Sequence, residues 1–274
     1  TVEPILSVVT SLGMDHANAL GATAAAIARE KAGILRPGIP AVLDGGVLGG
    51  PSAVAARAEE IGAPLFRRRD CLRASAVKTH DPLAGGWGDD PVGPALLRFR
   101  LHRREGAPRG FALRPEGLAL RTRLAGRHQA SNLSLAALAL LLLREQGFAV
   151  DEPRIEEGLA RVRWPGRLDR PLPGVRLLAD VAHNREGASA VARHLAPFVA
   201  RGGRLLPVVS LLAQKDHAGF FRHLRRIAGE VRLAPLDSDR AAPLSALAAA
   251  AGQAGLRVRT FESVAAALEE ALAE

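Results

Sequence analysis

Apolar residues along this chain come in short blocks whose spacing changes with position, and each change predicts a different element. Residues 5–10 (Ile-Leu-Ser-Val-Val-Thr) form a compact β-branched run that ends in a polar side chain, which predicts a buried strand. Thr23 is a suitable cap for a helix over 24–32 that stops at Gly33, ahead of Pro37. A strand-like stretch at 41–43, a helix at 52–61 and a strand-like stretch at 64–66 continue the alternation. Strand, helix and strand in succession require a parallel sheet with helical crossovers. Residues 81–94, rich in Gly, Pro and Asp, read as a loop.

The pattern then switches to period two. Residues 96–102 and 117–123 alternate apolar and polar positions, as half-buried antiparallel strands do. Two helices follow at 129–146 and 152–162, the first more apolar and therefore more buried. Trp164-Pro165-Gly166 interrupts the pattern and marks a domain boundary, giving domains at 1–163 and 164–274. Beyond it strands at 175–181, 204–209, 231–236 and 258–261 alternate with helices at 186–199, 216–227, 244–254 and 264–273. This is the pattern of a doubly wound α/β domain. The last element is a helix, so the sheet is expected to lack its final strand.

Composition narrows the function. A chain of 274 residues, 48% hydrophobic, buries a sizeable core. Cys71 is the single cysteine, so no internal disulfide forms, and a cytoplasmic location is expected. The longest apolar run, 133–143, is interrupted by Ser134 and falls far short of the roughly 20 residues of a membrane span, so no membrane association is expected. The net charge of +9 invites a nucleic-acid reading. Arginine is scattered, however, with Arg67-Arg68-Arg69 the one run of three, and aromatics are 4% with no Tyr to stack bases. No nucleic-acid partner is expected; the charge suits small polyanionic substrates, whose local concentration it raises. Only three lysines (Lys31, Lys78, Lys215) and three asparagines (Asn18, Asn132, Asn184) occur in this arginine-rich background. A retained lysine marks either drift or a need for a primary amine, which arginine cannot supply.

Several polar groups stand where strands or helices end. Asp15-His16 follow the first strand, and Glu30-Lys31-Ala32-Gly33-Ile34 close the next helix, so strand end and helix end are expected to converge. A structural hydrogen bond from His16, and a dipole contact for Lys31 worth about 0.3 to 1 kcal/mol, are the plainer readings. Arg127-His128-Gln129-Ala130-Ser131-Asn132 opens the most apolar helix, with capping by Ser131 as its plain reading. Pro165-Gly166-Arg167-Leu168 puts an arginine at the domain junction, where a surface arginine is the default. Leu177-Leu178-Ala179-Asp180-Val181-Ala182-His183-Asn184 runs an apolar strand into three polar groups ahead of a helix. That arrangement suits a nucleotide or anion, and an N-cap at Asn184 accounts for only one of the three. Ser210-Leu211-Leu212-Ala213-Gln214-Lys215-Asp216 repeats the theme in the next unit.

Taken in order, these segments resemble the folylpolyglutamate synthase / dihydrofolate synthase family of the Mur ligase superfamily. Thr10-Ser11-Leu12-Gly13-Met14-Asp15-His16 with Leu20-Gly21, then Arg29-Glu30-Lys31-Ala32-Gly33-Ile34, look like the family's central-domain signature. His128-Gln129 with Asn132, Pro165-Gly166-Arg167, Asp180-Val181-Ala182-His183-Asn184, and Ala234-Pro235-Leu236 with Arg240 follow in the family's order. The resemblance implies an α/β chain: part of a Mur-ligase-type central ATPase domain, then a doubly wound Rossmann-like C-terminal glutamate-ligase domain. It implies an ATP-dependent ligase that adds L-glutamate to dihydropteroate or folylpolyglutamates through an acyl phosphate, with ATP and Mg²⁺ as cofactors. In that chemistry positioning and charge stabilisation do most of the work. His16 resembles the family's magnesium ligand, and Lys31 its carbamylated lysine, an anionic oxygen ligand made from an amine. Asn132, Arg167, Asp180, His183 and Asn184 resemble ATP-contacting positions, with Arg167 suited to phosphate. Lys215 and Asp216 match a Lys-Asp pair near the glutamate end of the cleft. A cytoplasmic monomer acting on small molecules is implied.

Departures from the family pattern go with this. No G-x-x-x-x-G-K-[ST] loop occurs, and Lys78-Thr79 lacks the glycines that present backbone N–H groups to phosphates. Ser210 stands where a glycine is usual. The upstream glycine-rich signature and the final strand are absent, so a piece inactive by itself is expected, truncated at both ends. A Mur-type ligase with another acceptor, or a non-catalytic α/β nucleotide-binding remnant, are the alternatives.

Overall fold

The computed structural model describes residues 3–10, 24–44, 50–79, 97–172 and 174–274. Contacts divide the chain into two compact units, one of Thr1–Thr79 with Pro94–Arg163, the other containing Trp164–Glu274.

The first unit opens with β1 (Ser7–Val9), α1 (Ala24–Ala32), β2 (Ala41–Leu43), α2 (Gly50–Glu60) and β3 (Leu65–Arg67). The three strands form a parallel sheet in the order β1-β2-β3, in register Ser7 with Ala41 and Ala41 with Leu65. Small side chains allow this: Ala28, Ala32, Ala41 and Ala58 are buried with Val9, Leu43 and Val54 in one core cluster. Bulk comes from Val9 and Leu43 of the strands and from Ile27 and Val54 of the helices, all buried.

A short helix α3 (Arg68–Cys71) leads into an antiparallel sheet of β4 (Leu72–Thr79), β5 (Leu97–Arg103) and β6 (Leu118–Thr122). Alternation does its work here: Leu97, Phe99 and Leu101 of β5 and Leu118, Leu120 and Thr122 of β6 are buried, with Arg98, Arg100, Ala119 and Arg121 between them. Against these strands pack α4 (His128–Glu145) and α5 (Glu152–Arg161). Ala137, Leu138 and Leu141 of α4 are fully buried, and each leucine so placed contributes roughly 1.5–3 kcal/mol. Asp151 caps α5 by accepting from Arg154 N–H at 2.8 Å, and Ile155 with Leu159 forms its inner stripe.

The second unit contains α6 (Arg185–Ala200), β7 (Val208–Val209), α7 (His217–Leu224), β8 (Glu230–Leu233), α8 (Leu244–Gln253), β9 (Arg257–Thr260) and α9 (Val264–Ala273). Its sheet is parallel in the order β7-β8-β9, and Val209, Phe221, Val231, Leu233, Leu247 and Ala251 form its core. Arg232, in the middle of β8, is fully buried and bonded to Glu270 of α9 and Glu274.

The architecture is α/β, as the alternation predicts, with differences at particular elements. Residues 175–181 are not a member of the parallel sheet: they are extended and held by one antiparallel bridge, Asp169 to Ala179. Asp169 and Ala179 exchange two 2.8 Å backbone bonds, and Val181 N–H donates to the Gly166 carbonyl at 2.8 Å, so the 166–169 loop takes one edge of the stretch. Strand β4 and helix α3 went unpredicted. Their residues carry charges and a register shift between Ser75 and Lys78, with Ala76 at φ +50°, which breaks the alternation a strand shows in sequence. Helix α4 begins at His128 with Arg127 as its N-cap and no side-chain cap, so Ser131 lies inside the helix and does not cap it. Helix α7 starts one residue after Asp216, which caps it, and ends at Leu224 rather than 227. The expected Thr23 cap and 81–94 loop lie outside the described residues. Among the described residues no helix is long and apolar enough to cross a membrane.

Candidate functional site

In the second unit two motifs far apart in sequence form one structure. The carboxylate of Asp180 accepts from Leu168 N–H at 2.9 Å through one oxygen and from Ala182 N–H at 2.7 Å through the other. It thereby clasps the Pro165–Leu168 loop to the turn that follows 177–181. The loop needs that clasp, because Leu168 sits at φ +49°, a left-handed conformation that costs an L-residue roughly 1–2 kcal/mol. Gly166, at φ +72°, adopts the same region without that penalty, and a Cβ there would lie 2.7 Å from Val181 Cγ1. Leu168 is buried, anchoring the loop, while Arg167 between these two residues is exposed. The fold thus presents Arg167 on a fixed turn.

The following turn is fixed by similar means. His183 Nδ1 donates to the Val181 carbonyl at 2.9 Å, which assigns the ring proton to that nitrogen. Asn184 caps α6, its Oδ1 accepting from Gly187 N–H at 2.8 Å. Gly187 is required for the approach: a Cβ would lie 3.0 Å from Ala182 Cβ and 3.1 Å from Asn184 Oδ1. Arg167, Asp180, His183 and Asn184 therefore belong to one loop-and-turn assembly at the start of α6, where a helix dipole favours anions. Within it Asn184 makes the N-cap its place ahead of the helix suggests, while the Asp180 oxygens hold backbone groups of two segments, which sequence spacing alone did not show.

The 210–216 segment lies at the carboxyl end of β7. Ser210 Oγ donates to the Ala234 carbonyl at 2.7 Å, and Ser210 lines the same cavity as Leu168, Asp180 and Ala182. Asp216 caps α7 by accepting from Gly219 N–H at 2.8 Å, and a Cβ on Gly219 would lie 2.1 Å from the Asp216 carboxylate. His217 Nε2 donates to the Leu212 carbonyl at 2.9 Å, closing the loop around half-buried Lys215.

In the first unit Asn132 projects from the second turn of α4, exposed, and its Nδ2 donates to Gln129 Oε1 at 2.8 Å. Gln129 is buried and its amide nitrogen lies 3.1 Å from His128 Nε2, so His128, Gln129 and Asn132 form one polar chain at the helix start. Lys31 closes α1, half-buried, and the carbonyl of Ile34 just beyond accepts from Ser7 Oγ of β1 at 3.2 Å. Asp15 and His16 lie outside the described residues.

One pair escaped the sequence reading. Asp44, at the carboxyl end of β2, is ion-paired with Nε of Arg68 at the start of α3, and both side chains are nearly buried. Carboxyl ends of parallel strands are where α/β sheets take ligands. The available signal was Asp44 following a buried strand, which is the argument applied to Asp15 and Asp180.

Comparison with known proteins bears on this geometry. Residues 166–274 match the Mur ligase, glutamate ligase domain family, which spans the clasp and the whole parallel sheet of the second unit. The dihydrofolate synthase/folylpolyglutamate synthase of Bacillus subtilis is 31% identical over 241 residues, covering 88% of this chain and 51% of that protein. The structure of E. coli FolC in complex with DHPP and ADP superposes with a TM-score of 0.76 at 30% identity, covering 100% of this chain and 56% of that one. Over its whole length this chain is similar to folylpolyglutamate/dihydrofolate synthases. A second similar structure, the bifunctional folylpolyglutamate synthase/dihydrofolate synthase of Yersinia pestis complexed with AMPPNP and Mn ion, has a TM-score of 0.72 at 27% identity, covering 100% of this chain and 56% of that one. The chain spans about half the length of the curated relatives it matches. Its fold is the α/β Mur-ligase type of these synthases.

Proposed function

We propose that this chain carries part of an ATP-dependent ligase that joins L-glutamate to dihydropteroate or folylpolyglutamate through an acyl phosphate. One observation carries the reading: the Asp180 carboxylate binds the Arg167 loop to the His183-Asn184 turn, making a rigid cationic seat at the start of α6. A guanidinium held on a fixed turn suits phosphate, and the relatives bearing ADP and AMPPNP support a nucleotide there. In this reading Arg167 holds phosphate charge, and Asp180 and Asn184 position it. His183 contacts the nucleotide, and Lys215 with Asp216 faces the incoming glutamate; Asn132 of the first unit keeps its resemblance-based assignment as a nucleotide-contacting residue. Residues 1–163 then belong to the central ATPase domain and 164–274 to the glutamate-ligase domain. The protein works as a cytoplasmic monomer on small molecules.

Magnesium is the metal this chemistry uses, where it neutralises charge on the transferring phosphoryl group. Among the described residues no cluster of three His, Cys, Asp or Glu side chains is present to hold it. The assignment rests on His16 and on a carbamate at Lys31, so no step is drawn through the metal. Lys31 fits a carbamate in one respect: it is half-buried at a helix end, and a primary amine is the only side chain that forms one.

The experiment is glutamate-dependent phosphate release from ATP, with dihydropteroate or tetrahydrofolate as acceptor. It is run on the 274 residues and on the reading frame extended in both directions. Release by the extended protein, lost in Lys31→Ala and Arg167→Ala, supports the assignment. Release with no folate acceptor, or release untouched by either substitution, removes it.

A further inference from the structure

The antiparallel sheet of the first unit changes register partway along. From Leu72 with Arg103 to Ser75 with Arg100, the pairing sets Arg73 and Ser75 of β4 on the same face as His102 and Arg100 of β5. Continued unchanged, it would bring Lys78 opposite Leu97, which is buried. Instead the register shifts between Ser75 and Lys78, Ala76 takes φ +50°, and Lys78 comes opposite Arg98. Arg98 in turn lies opposite Arg121 of β6. A bulge with a left-handed alanine thus turns the strand's lysine from the core side to the outer face.

Lys78, Arg98 and Arg121 stand side by side on three adjacent strands, with neighbouring Cβ atoms about 5 Å apart. Like charges directly opposite one another destabilise a sheet. All three are exposed, and none makes an ion pair among the described residues. Arg73 and Arg100 add their charges to the same face, and its remaining side chains, Ser75, His102 and Ala119, bring no carboxylate. Charge on an edge strand guards against edge-to-edge pairing, which accounts for Lys78 and Arg121 but not for Arg98 of the central strand. A basic face without counter-charge suits an anion brought from elsewhere.

Position selects the anion. The row stands at the end of the sheet from which residues 123–127 lead to the start of α4 and its His128-Gln129-Asn132 chain. Five residues span at most about 18 Å. We propose that the Lys78-Arg98-Arg121 row is a subsite for the oligo-γ-glutamyl chain of a folate, taking its free carboxylates one after another. The assignment rests on the ligase reading above. Spacing agrees: a γ-linked glutamate has five backbone bonds per residue, which puts successive carboxylates about 6 Å apart. On this face cations follow one another at about 5 Å across the strands and about 6.8 Å along β5. Arginine suits the task, since a guanidinium takes a carboxylate through two parallel bonds. Nucleic acid is the lesser fit, because the face has no aromatic side chain on which a base stacks.

The test is titration of the 274-residue chain with fluorescently labelled tri-γ-glutamate at low ionic strength, where surface charge is least screened. Arg98→Gln with Arg121→Gln is expected to weaken binding by about tenfold. The same loss of charge on α7 and just beyond it, Arg222→Gln with Arg226→Gln, should weaken it by less than about twofold. The urea midpoint of the Arg98→Gln, Arg121→Gln chain is expected at or above that of the parent, because neutralisation relieves a repulsion. A lowered midpoint marks a structural role and overturns the proposal. So does an absence of binding by the parent, or equal weakening by the two pairs of substitutions. Equal affinity for α-linked triglutamate, or displacement of the probe by duplex RNA at lower concentration, overturns the γ-glutamyl assignment. Phosphate release from ATP by the extended protein, with tri-γ-glutamate binding untouched by Arg98→Gln and Arg121→Gln, removes the subsite and leaves the ligase reading. No phosphate release, with that binding still lost in the same variant, removes the ligase reading and leaves the subsite.

Discussion

Removing the Asp180 carboxylate tests the central structural claim about the candidate site. Its two bonds, 2.9 Å to Leu168 N–H and 2.7 Å to Ala182 N–H, are charge-assisted, a class worth about 1.5–3 kcal/mol each. Asp180 is exposed, so water replaces part of the loss and the lower end applies. Three backbone bonds among Gly166, Asp169, Ala179 and Val181 survive the substitution and keep the loop nearby. Leu168 is nevertheless left with about 1–2 kcal/mol of left-handed strain and no carboxylate to offset it. Local opening at Leu168 should therefore become easier by about 2 kcal/mol in Asp180→Ala, which is roughly 30-fold faster exchange of its amide. Asp180→Asn retains one acceptor oxygen, so about half the effect, roughly fivefold, is expected. The assay is native-state hydrogen exchange at Leu168 and Ala182, with ADP titration as the functional readout, where affinity should fall in the same order. Leu168 exchange within twofold of the parent in Asp180→Ala would show that the backbone bonds alone hold the turn, and the positioning role of Asp180 would be wrong.

Two further outcomes follow from buried charge. Arg232→Met should destabilise the second unit by about 3 kcal/mol in urea unfolding, since it leaves Glu230, Glu270 and Glu274 paired with the more exposed Arg204, Arg257 and Arg259. Adding Glu270→Leu should recover part of the loss, and an Arg232→Met chain as stable as the parent would show the ion cluster to be neutral. His223 is held below its ordinary value of 6.5 first by burial and then by the charges of Arg226, Arg185, Arg222 and Arg193. The unfolded chain then binds more protons than the native one between that lowered value and 6.5, so stability falls as pH drops through this window. Urea midpoints at pH 7.5 and 5.5 should converge in His223→Gln; an unchanged pH dependence would place the acid sensitivity elsewhere.

Much of this molecule is local, and local information is legible in sequence. Periodicity alone placed α1, β2, α5, α8 and α9 within a residue or two, because each depends on its own run or stripe of apolar residues, reinforced in α5 and α9 by the caps Asp151 and Ser263. Family resemblance likewise needed only the order of short motifs, and it singled out Arg167, Asp180, His183 and Asn184 before any contact was known. Tertiary structure decided what those residues do. That Asp180 reaches back twelve positions to Leu168 N–H is a property of chain folding, not of either motif. Residues 175–181 have the composition of a buried strand, yet pairing depends on what lies beside them, and the 166–169 loop on one edge and an open gap on the other are invisible to composition. Strand β4 was hidden for the converse reason. Its charges and register shift contradict an isolated strand, and only its ladder with β5 makes it one. The sequence by itself determined the longer helices, which segments are apolar, and which polar groups cluster at their ends, since these follow from side-chain pattern within a few residues; the four-residue α3 is too short to show one. Which edges meet and which carboxylate clasps which amide were settled only by the fold, because hydrogen bonds between distant segments carry no trace in local spacing.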